Sequence, residues 1–206
     1  MTIKTKAGTK PATRTHSHRR TITLDGFARE DGHYDIEAEL IDTKSYSFPS
    51  RTHGTVEKGE PLHHMKICVT ISEEMMILDA SAKTLSGPYH DCPQGAAAIG
   101  NLIGETIRPG WKKIVARAIG GKQGCTHITE LMGPVATVAF QTIFGERAKR
   151  NREASQTNEG ATSEKTPQMT GLLNSCFALS EGRQAAIWHW GDTDKDIDKD
   201  NDSTSS

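Results

Sequence analysis

Alternation of apolar and polar residues marks strands in the first half of the chain. Residues 20–29 and 33–44 alternate on either side of Glu30-Asp31-Gly32, a turn signal that predicts a hairpin. Residues 62–72 and 75–82 alternate in the same way. Because side chains point to opposite faces at successive strand positions, each run has one apolar and one polar face. The pattern predicts antiparallel strands with one face on a core.

Helical periodicity replaces alternation in the middle of the chain. Apolar residues recur at helical spacing over residues 94–106 and again over 111–118, and Gly120-Gly121 ends the second helix. A longer helix begins at Cys125 or Thr126. Its apolar stripe consists of Ile128, Leu131, Met132, Val135, Val138, Ala139 and Thr142. Pro134 inside this helix predicts a kink and leaves one backbone carbonyl without its helical donor.

Periodicity is weak or brief in the remaining segments. Residues 46–61 predict a long loop, and residues 150–168 predict a flexible linker because they contain few apolar side chains. Residues 172–180 and 184–190 favour a second hairpin. Together the segments predict an α+β fold, with an antiparallel sheet of about six strands and a central helical segment that includes one long kinked helix.

Length and charge narrow the classes of protein and partner. The chain has 206 residues and a formal net charge of −1, so we expect one domain over residues 19–190 and no binding of nucleic acid or membranes. Residues 1–18 form a basic arm and residues 191–206 an acidic tail, and we expect both to be disordered. The sequence shows no long apolar run and no secretory signal, which predicts a cytoplasmic protein. A homo-oligomer is compatible with the sequence.

Chemically active side chains gather at the start of the longest helix, where Cys125, His127 and Glu130 follow one another. His127 and Glu130 are helical neighbours, and a thiol at a helix N-terminus is favoured as thiolate. Glu130 could orient His127 for proton transfer, or Cys125 could act as the nucleophile of a hydrolase. The alternatives are a capping and packing role, or a metal site completed by the thiolate or His64, although this spacing matches no metal motif.

Other candidates lie on the predicted strands. Asp35 and Glu37 belong to a polar strand face that is usually only solvated, but rigid backbone could hold them in a site. His63 and His64 are adjacent on one strand and point to opposite faces, so only one of them fits a given site. The sequence contains no glycine-rich phosphate-binding loop. We therefore predict no nucleotide and no other cofactor.

Several short motifs together resemble a bacterial family catalogued as domain of unknown function 2889. They include Arg-Glu-Asp-Gly at residues 29–32, Gly-Glu-Pro at 59–61 and Gly-Cys-Thr-His-Ile-Thr-Glu-Leu at 124–131. The resemblance covers about residues 19–190. The family pattern has a single histidine before a methionine, as in Glu-Pro-x-His-x-Met, and we assign it to His64 rather than His63.

The resemblance implies an enzyme of lignin-derived aromatic catabolism, with a small aromatic molecule as its substrate. The implied activity is that of a cofactor-independent lyase that releases formaldehyde from a phenolic dimer such as a phenylcoumaran. In that reaction His127 acts as a base oriented by Glu130, and His64 or Asp35 is the second proton-handling group. Arg29 or Lys44 faces the phenolate, with Cys125 and Glu37 beside the substrate. The alternatives are a metal-binding or structural protein and a cysteine-dependent hydrolase.

Overall fold

A computed structural model of the chain describes residues 12–52, 54–157 and 173–190. The chain divides into two compact units at the bond between Arg147 and Ala148. The candidate chemistry belongs to the first unit. Among the described residues, no helix has both the length and the apolar character that crossing a bilayer requires.

Two antiparallel sheets form the β part of the first unit. The strands are β1 (His18–Ala28), β2 (Tyr34–Lys44), β3 (Phe48–Ser50), β4 (Gly54–Val56), β5 (Pro61–Ile71) and β6 (Ile77–Ser86). The larger sheet has the order β1-β2-β5-β6, and β3 pairs only with β4. Each hairpin predicted from residues 20–44 and 62–82 is present, because alternation and turn chemistry are local signals that the sheet does not override.

Helices of the first unit cover one face of the larger sheet. They are α1 (Cys92–Ala97), α2 (Trp111–Ile119) and the first part of α3 (Thr126–Thr157), while the second unit contains α4 (Gln184–Trp190). Tyr34, Leu40 and Met65 from the sheet are buried in the same core as Ile128 and Leu131 from α3. Burial of such side chains stabilises the fold by roughly 1.5–3 kcal/mol each. The indole of Trp111 donates a buried hydrogen bond of 2.8 Å to the carbonyl of Met132 and joins α2 to α3.

The α+β class is confirmed, with three corrections to its details. The six described strands are divided between two sheets, since part of the loop predicted over residues 46–61 forms β3 and β4. The hairpin predicted at residues 172–190 is wrong: residues 177–179 form a 3-10 turn and 184–190 form α4. Gln184 and the alanines after it favour helix, which closes its backbone hydrogen bonds without a partner strand. Residues 150–157 belong to α3 rather than to a linker.

Other expectations about the ends fall mostly outside the described residues. Residues 1–11 of the basic arm, residues 158–168 of the linker and the whole acidic tail lie there. His18, the last residue assigned to the arm, is the first residue of β1. Helix α3 runs through Pro134. The predicted kink stays a prediction.

Gly26 lets β1 approach α3 closely. A methyl group added at Gly26 would lie 1.9 Å from Oγ1 of Thr142. We expect Gly26→Ala to lower the free energy of unfolding by about 1–3 kcal/mol, because overpacking forces the strand and helix apart. Urea denaturation measures this change. Adding Thr142→Ala should restore part of the loss, and equal stability of Gly26→Ala and wild type would contradict the close approach.

A helical glycine in α3 provides the control. A methyl group at Gly145 meets no atom within 4 Å outside the adjacent residues and the backbone of its own helix. Gly145→Ala should therefore stabilise the protein by about 1 kcal/mol, the ordinary difference in helix propensity. The opposite signs of the two substitutions would separate a steric effect at Gly26 from a general response to glycine replacement.

Candidate functional site

A buried carboxylate lies at the centre of the candidate site. Asp42 is only 1% exposed, and the other buried residues on its strand face are apolar. It is opposite Arg20 of β1 and His63 of β5 in the sheet register. Directly paired residues of an antiparallel sheet share a face, so the sheet itself brings these three side chains together.

Arg20 binds Asp42 with a two-pronged contact. Its Nε donates to Oδ1 at 2.8 Å and its Nη2 to Oδ2 at 2.7 Å. The remaining nitrogen, Nη1, donates to Glu130 of α3. One guanidinium therefore ties the first strand to the first turns of the long helix. His18 adds a contact from its Nε2, which lies 3.3 Å from Oδ1 of Asp42.

These contacts keep Asp42 ionised. Burial alone would raise the pKa of Asp42, but hydrogen bonds from Arg20, and more weakly from His63, outweigh burial and lower the pKa to about 2. The same carboxylate raises the pKa of Arg20 against a smaller opposing effect of burial. At neutral pH, Asp42 is therefore an ionised hydrogen-bond acceptor beside the imidazoles of His18, His63 and His127.

Two imidazoles stack beside this carboxylate. The ring centroids of His63 and His127 are 3.9 Å apart. Nδ1 of His63 is 3.0 Å from Oδ2 of Asp42, and Nε2 of His127 is 3.8 Å from the same oxygen. Burial lowers the pKa of His63 although Asp42 acts in the opposite direction. His63 is therefore mainly neutral at pH 7, with its Nδ1–H donating to Asp42 and its Nε2 carrying a lone pair.

Cys125 adjoins the second imidazole. Its Sγ is 3.7 Å from Nδ1 of His127, so the fold does turn this ring toward the sulfur. Burial alone would raise the pKa of Cys125, but hydrogen bonds from His127 and from the backbone N–H groups of Ile128 and His127 lower it. The helix N-terminus thus supports thiolate character at the edge of the cluster.

The comparison with known proteins concerns this part of the chain. A family model described as a protein of unknown function (DUF2889) matches residues 18–141. The chain belongs to this family. The DUF2889 match begins at His18 and ends in α3, so it includes every member of the cluster around Asp42. Searches of curated proteins and of solved structures find no match.

Three of the predicted site residues lie in the cluster around Asp42. They are Cys125, His127 and Glu130. Glu130 accepts from Arg20 and is half exposed, so its partner here differs from the predicted one, His127. Lys44 lies two residues after Asp42 and on the same face of β2.

The other four predicted residues lie away from Asp42. Asp35, Glu37 and His64 are on the opposite face of the sheet, where Nε2 of His64 is 2.6 Å from a carboxylate oxygen of Glu39. Arg29 is at the far end of β1 and contacts Asp31 and Asp35. Of the two adjacent histidines, His63 is the one that meets His127, and the assignment of the family histidine to His64 stays a prediction.

Sequence reasoning missed Asp42 and Arg20 and set His63 aside in favour of His64, although Asp42 and His63 carried a signal. Asp42 continues the buried series of Tyr34, Ile36, Ala38 and Leu40. A carboxylate at a position that alternation assigns to the core needs a partner, which marks it as a candidate. His63 shares its strand face with Met65, and counting the family pattern from Glu60 also gives His63.

A separate cavity lies at the start of β5, and none of Asp42, His63 and His127 lines it. Its volume is about 500 Å³, and it includes Pro61 and Leu62, which immediately precede His63. Leu85, Tyr89 and Pro93 give it apolar walls, and Glu60 and His90 add polar groups. Ligand sites commonly have volumes of roughly 300–1,000 Å³ and this mixture of surfaces.

Two kinds of chemistry fit the arrangement. Neutral His63, oriented by ionised Asp42, is suited to accept a proton, and His127 is close enough to handle a second one. The side chains of Asp42, His63 and His127 also offer three metal-ligand atoms within 4.8 Å of one another.

Proposed function

We propose that the protein is a small-molecule enzyme that uses the Asp42 cluster for acid–base catalysis. The observation that carries this proposal is the pair of stacked imidazoles held on one ionised, buried carboxylate. Stabilising a buried charge and two half-buried imidazoles is costly for a fold, and perturbed groups of this kind concentrate at functional sites. A packing role alone would be served better by apolar residues.

The reaction that we propose is release of formaldehyde from a phenolic lignin-type dimer such as a phenylcoumaran. Family resemblance motivates this choice, and the spacing of the two histidines supports it. In a phenylcoumaran the ether oxygen and the hydroxymethyl group are on adjacent carbons, so the proton that leaves and the proton that enters are close together. Two imidazoles with centroids 3.9 Å apart fit such a pair of transfers.

Each histidine has a distinct role in this proposal. His63 takes the hydroxymethyl proton through Nε2, because Asp42 holds its Nδ1–H. The carbon–oxygen bond of the ether opens with its electron pair on the oxygen, driven by the phenolate of the substrate, which becomes a quinone methide. The carbon–carbon bond to the hydroxymethyl group then breaks, its electrons form the new alkene and restore the phenolate, and formaldehyde leaves with the new carbonyl bond. His127 gives a proton to the departing ether oxygen. Its Nε2 lies 3.8 Å from Oδ2 of Asp42. The reaction is balanced without an oxidant or a reductant.

The phenol at the other end of the substrate must ionise to open the ether. Lys44 is suited to face this phenolate, since it lies on the Asp42 face of β2. Two residues along a strand span about 7 Å, roughly the length of one aromatic ring.

The direct test measures formaldehyde and the stilbene product from a phenylcoumaran. We expect metal-free wild type to form both in equal amounts, and His127→Gln to react roughly 100-fold more slowly or worse, the usual effect of losing a general acid or base. The same substrate with its phenol methylated should not react, because it cannot form the phenolate. Equal rates for wild type and His127→Gln would remove His127 from the mechanism.

A second candidate is cysteine-dependent hydrolysis, which the 3.7 Å contact between Cys125 and His127 favours. In that case a thiolate, rather than an imidazole, attacks the substrate. Cys125→Ser separates the two candidates. It should abolish a hydrolase, whereas a lyase that depends on His63 and His127 should keep most of its formaldehyde release.

A further inference from the structure

The three side chains at the centre of the cluster also have the composition of a metal site. Asp42 supplies a carboxylate oxygen, and His63 and His127 each supply an imidazole nitrogen. Two histidines and one carboxylate suit borderline cations such as Zn²⁺, and the same set occurs with Fe²⁺. The spacing of residues 125–130 gave no such motif, because two of the ligands come from the sheet.

The separations between the ligand atoms fit one small cation. Nδ1 of His63 and Nε2 of His127 lie 3.0 Å and 3.8 Å from Oδ2 of Asp42. Ligands of a tetrahedral zinc ion, each at about 2.0–2.1 Å from the metal, are about 3.3 Å apart. These two distances lie on either side of this value, and all three ligand atoms lie within 4.8 Å of one another.

Arg20 does not block the carboxylate. A carboxylate has about four lone-pair positions, and Arg20 uses one on each oxygen of Asp42. The cation would replace the proton between His63 and Oδ2, at a contact that is now 3.0 Å. Arg20 also contacts Glu130, so two carboxylates share one guanidinium.

The surroundings hold the ligands in place. Asp42 and His63 are paired across neighbouring strands, and His127 is in the first turn of α3. Nδ1 of His127 faces Sγ of Cys125, while its Nε2 faces Asp42. Histidine ligands usually direct their second nitrogen to such a partner, which fixes the ring. Rigid elements and an oriented ring reduce the cost of ordering the site.

We infer that Asp42, His63 and His127 bind one divalent transition-metal cation, and that the bound cation blocks proton transfer at this site. When Nδ1 of His63 binds the cation, the hydrogen of the neutral ring is on Nε2, which then has no lone pair to accept a proton. Coordination likewise occupies Nε2 of His127, and metal binding displaces protons from both ligand nitrogens. Binding is inferred from the ligand geometry alone. The inhibitory effect rests on the proposed lyase function.

The first experiment measures binding without any substrate. Protein stripped of metal is titrated with Zn²⁺ in competition with a chromogenic chelator, and with Co²⁺ to record its visible absorption. We expect one ion per chain. His63→Gln and His127→Gln should each weaken Zn²⁺ binding roughly 100-fold or more, because loss of even an outer-shell partner costs about 10–100-fold.

The adjacent histidine gives a matched control. His64→Gln changes the same residue type one position away, on the opposite face beside Glu39, and should bind Zn²⁺ like wild type. Thermal melts of the metal-free variants check that each is folded. Zn²⁺ affinity in the double variant His63→Gln/His127→Gln equal to that of wild type would overturn the site, and so would loss of binding in His64→Gln alone.

The second experiment tests the effect on activity. Formaldehyde release should be fastest in metal-free protein, fall as Zn²⁺ occupies the site, and recover when a chelator removes the ion. Faster release by the Zn²⁺-loaded protein would overturn the inhibitory effect. If metal-free protein releases no formaldehyde under any condition, the lyase proposal fails while the binding measurement still decides the metal site.

Discussion

Replacing His63 with glutamine should reduce formaldehyde release by about 10²–10⁴-fold, the range expected when a general base is lost. Replacing its neighbour His64 should leave the rate close to that of wild type. The two side chains differ by one position in β5 and point to opposite faces. His63 contacts Asp42 and stacks on His127, whereas His64 contacts Glu39.

This pair of variants distinguishes catalysis from a general effect on the sheet. Glutamine keeps a polar side chain of similar length at both positions. Values of kcat and kcat/KM for each variant, measured on metal-free protein, give the comparison. A loss in His63→Gln that also lowers its melting temperature by several degrees would indicate misfolding, so the melt of each variant accompanies its kinetics. A larger loss in His64→Gln than in His63→Gln would contradict the site.

The strands could be predicted from the sequence because alternation and turn residues are local signals. Alternation from Tyr34 to Leu40 and the turn at Glu30-Asp31-Gly32 needed no information from elsewhere in the chain. The stripe of α3 from Ile128 to Ala139 was equally local, and most of its members are buried as predicted. Residues 172–190 had only short patterns, and there helix propensity decided the outcome.

The site could be predicted only in part, because its residues meet through tertiary contacts. Cys125, His127 and Glu130 are close in the chain and were found together. Arg20 meets Glu130 across 110 positions, and no periodicity reports such a contact. Asp42 was visible as a polar residue in a buried series, but its partners depend on strand register. Sequence spacing therefore favoured Glu130 as the carboxylate that orients His127. In the fold, Asp42 is the carboxylate that lies beside His63 and His127.

Register also explains why the outer carboxylates are separate from this chemistry. Asp35 and Glu37 alternate with the buried residues of β2, so the sheet lies between them and His127. Asp35 accepts hydrogen bonds from Arg29 and Thr70 on that outer face. Asp35 therefore forms hydrogen bonds on the outer face of the sheet, away from the Asp42 cluster. Asp35→Asn serves as a surface control for substitutions at Asp42.

Asp42→Asn is expected to have the largest effect on stability in the cluster. The substituted side chain would present an amide N–H₂ where Arg20 and His63 now donate, and the substitution would remove the charge that offsets the buried part of Arg20. Breaking a buried ion pair by removing one partner costs about 3–5 kcal/mol. Because Arg20 can still contact Glu130, we expect a loss of about 3 kcal/mol, the lower end of that range. Asp35→Asn should cost much less, since Arg29 is exposed.

The pH dependence gives the same prediction a second, independent measurement. The pKa of Asp42 is about 2 in the folded chain against an ordinary value of 3.8, so the unfolded chain binds more protons between these values. The stabilisation from Asp42 is complete above about pH 5 and is lost as the pH falls toward 2. One pKa unit corresponds to about 1.4 kcal/mol, so this contribution is about 2 kcal/mol. Urea denaturation at pH 7, 4 and 3 measures it. Wild type should lose stability faster than Asp42→Asn below pH 4, and parallel curves for the two proteins would show that Asp42 is not the charged centre of the cluster.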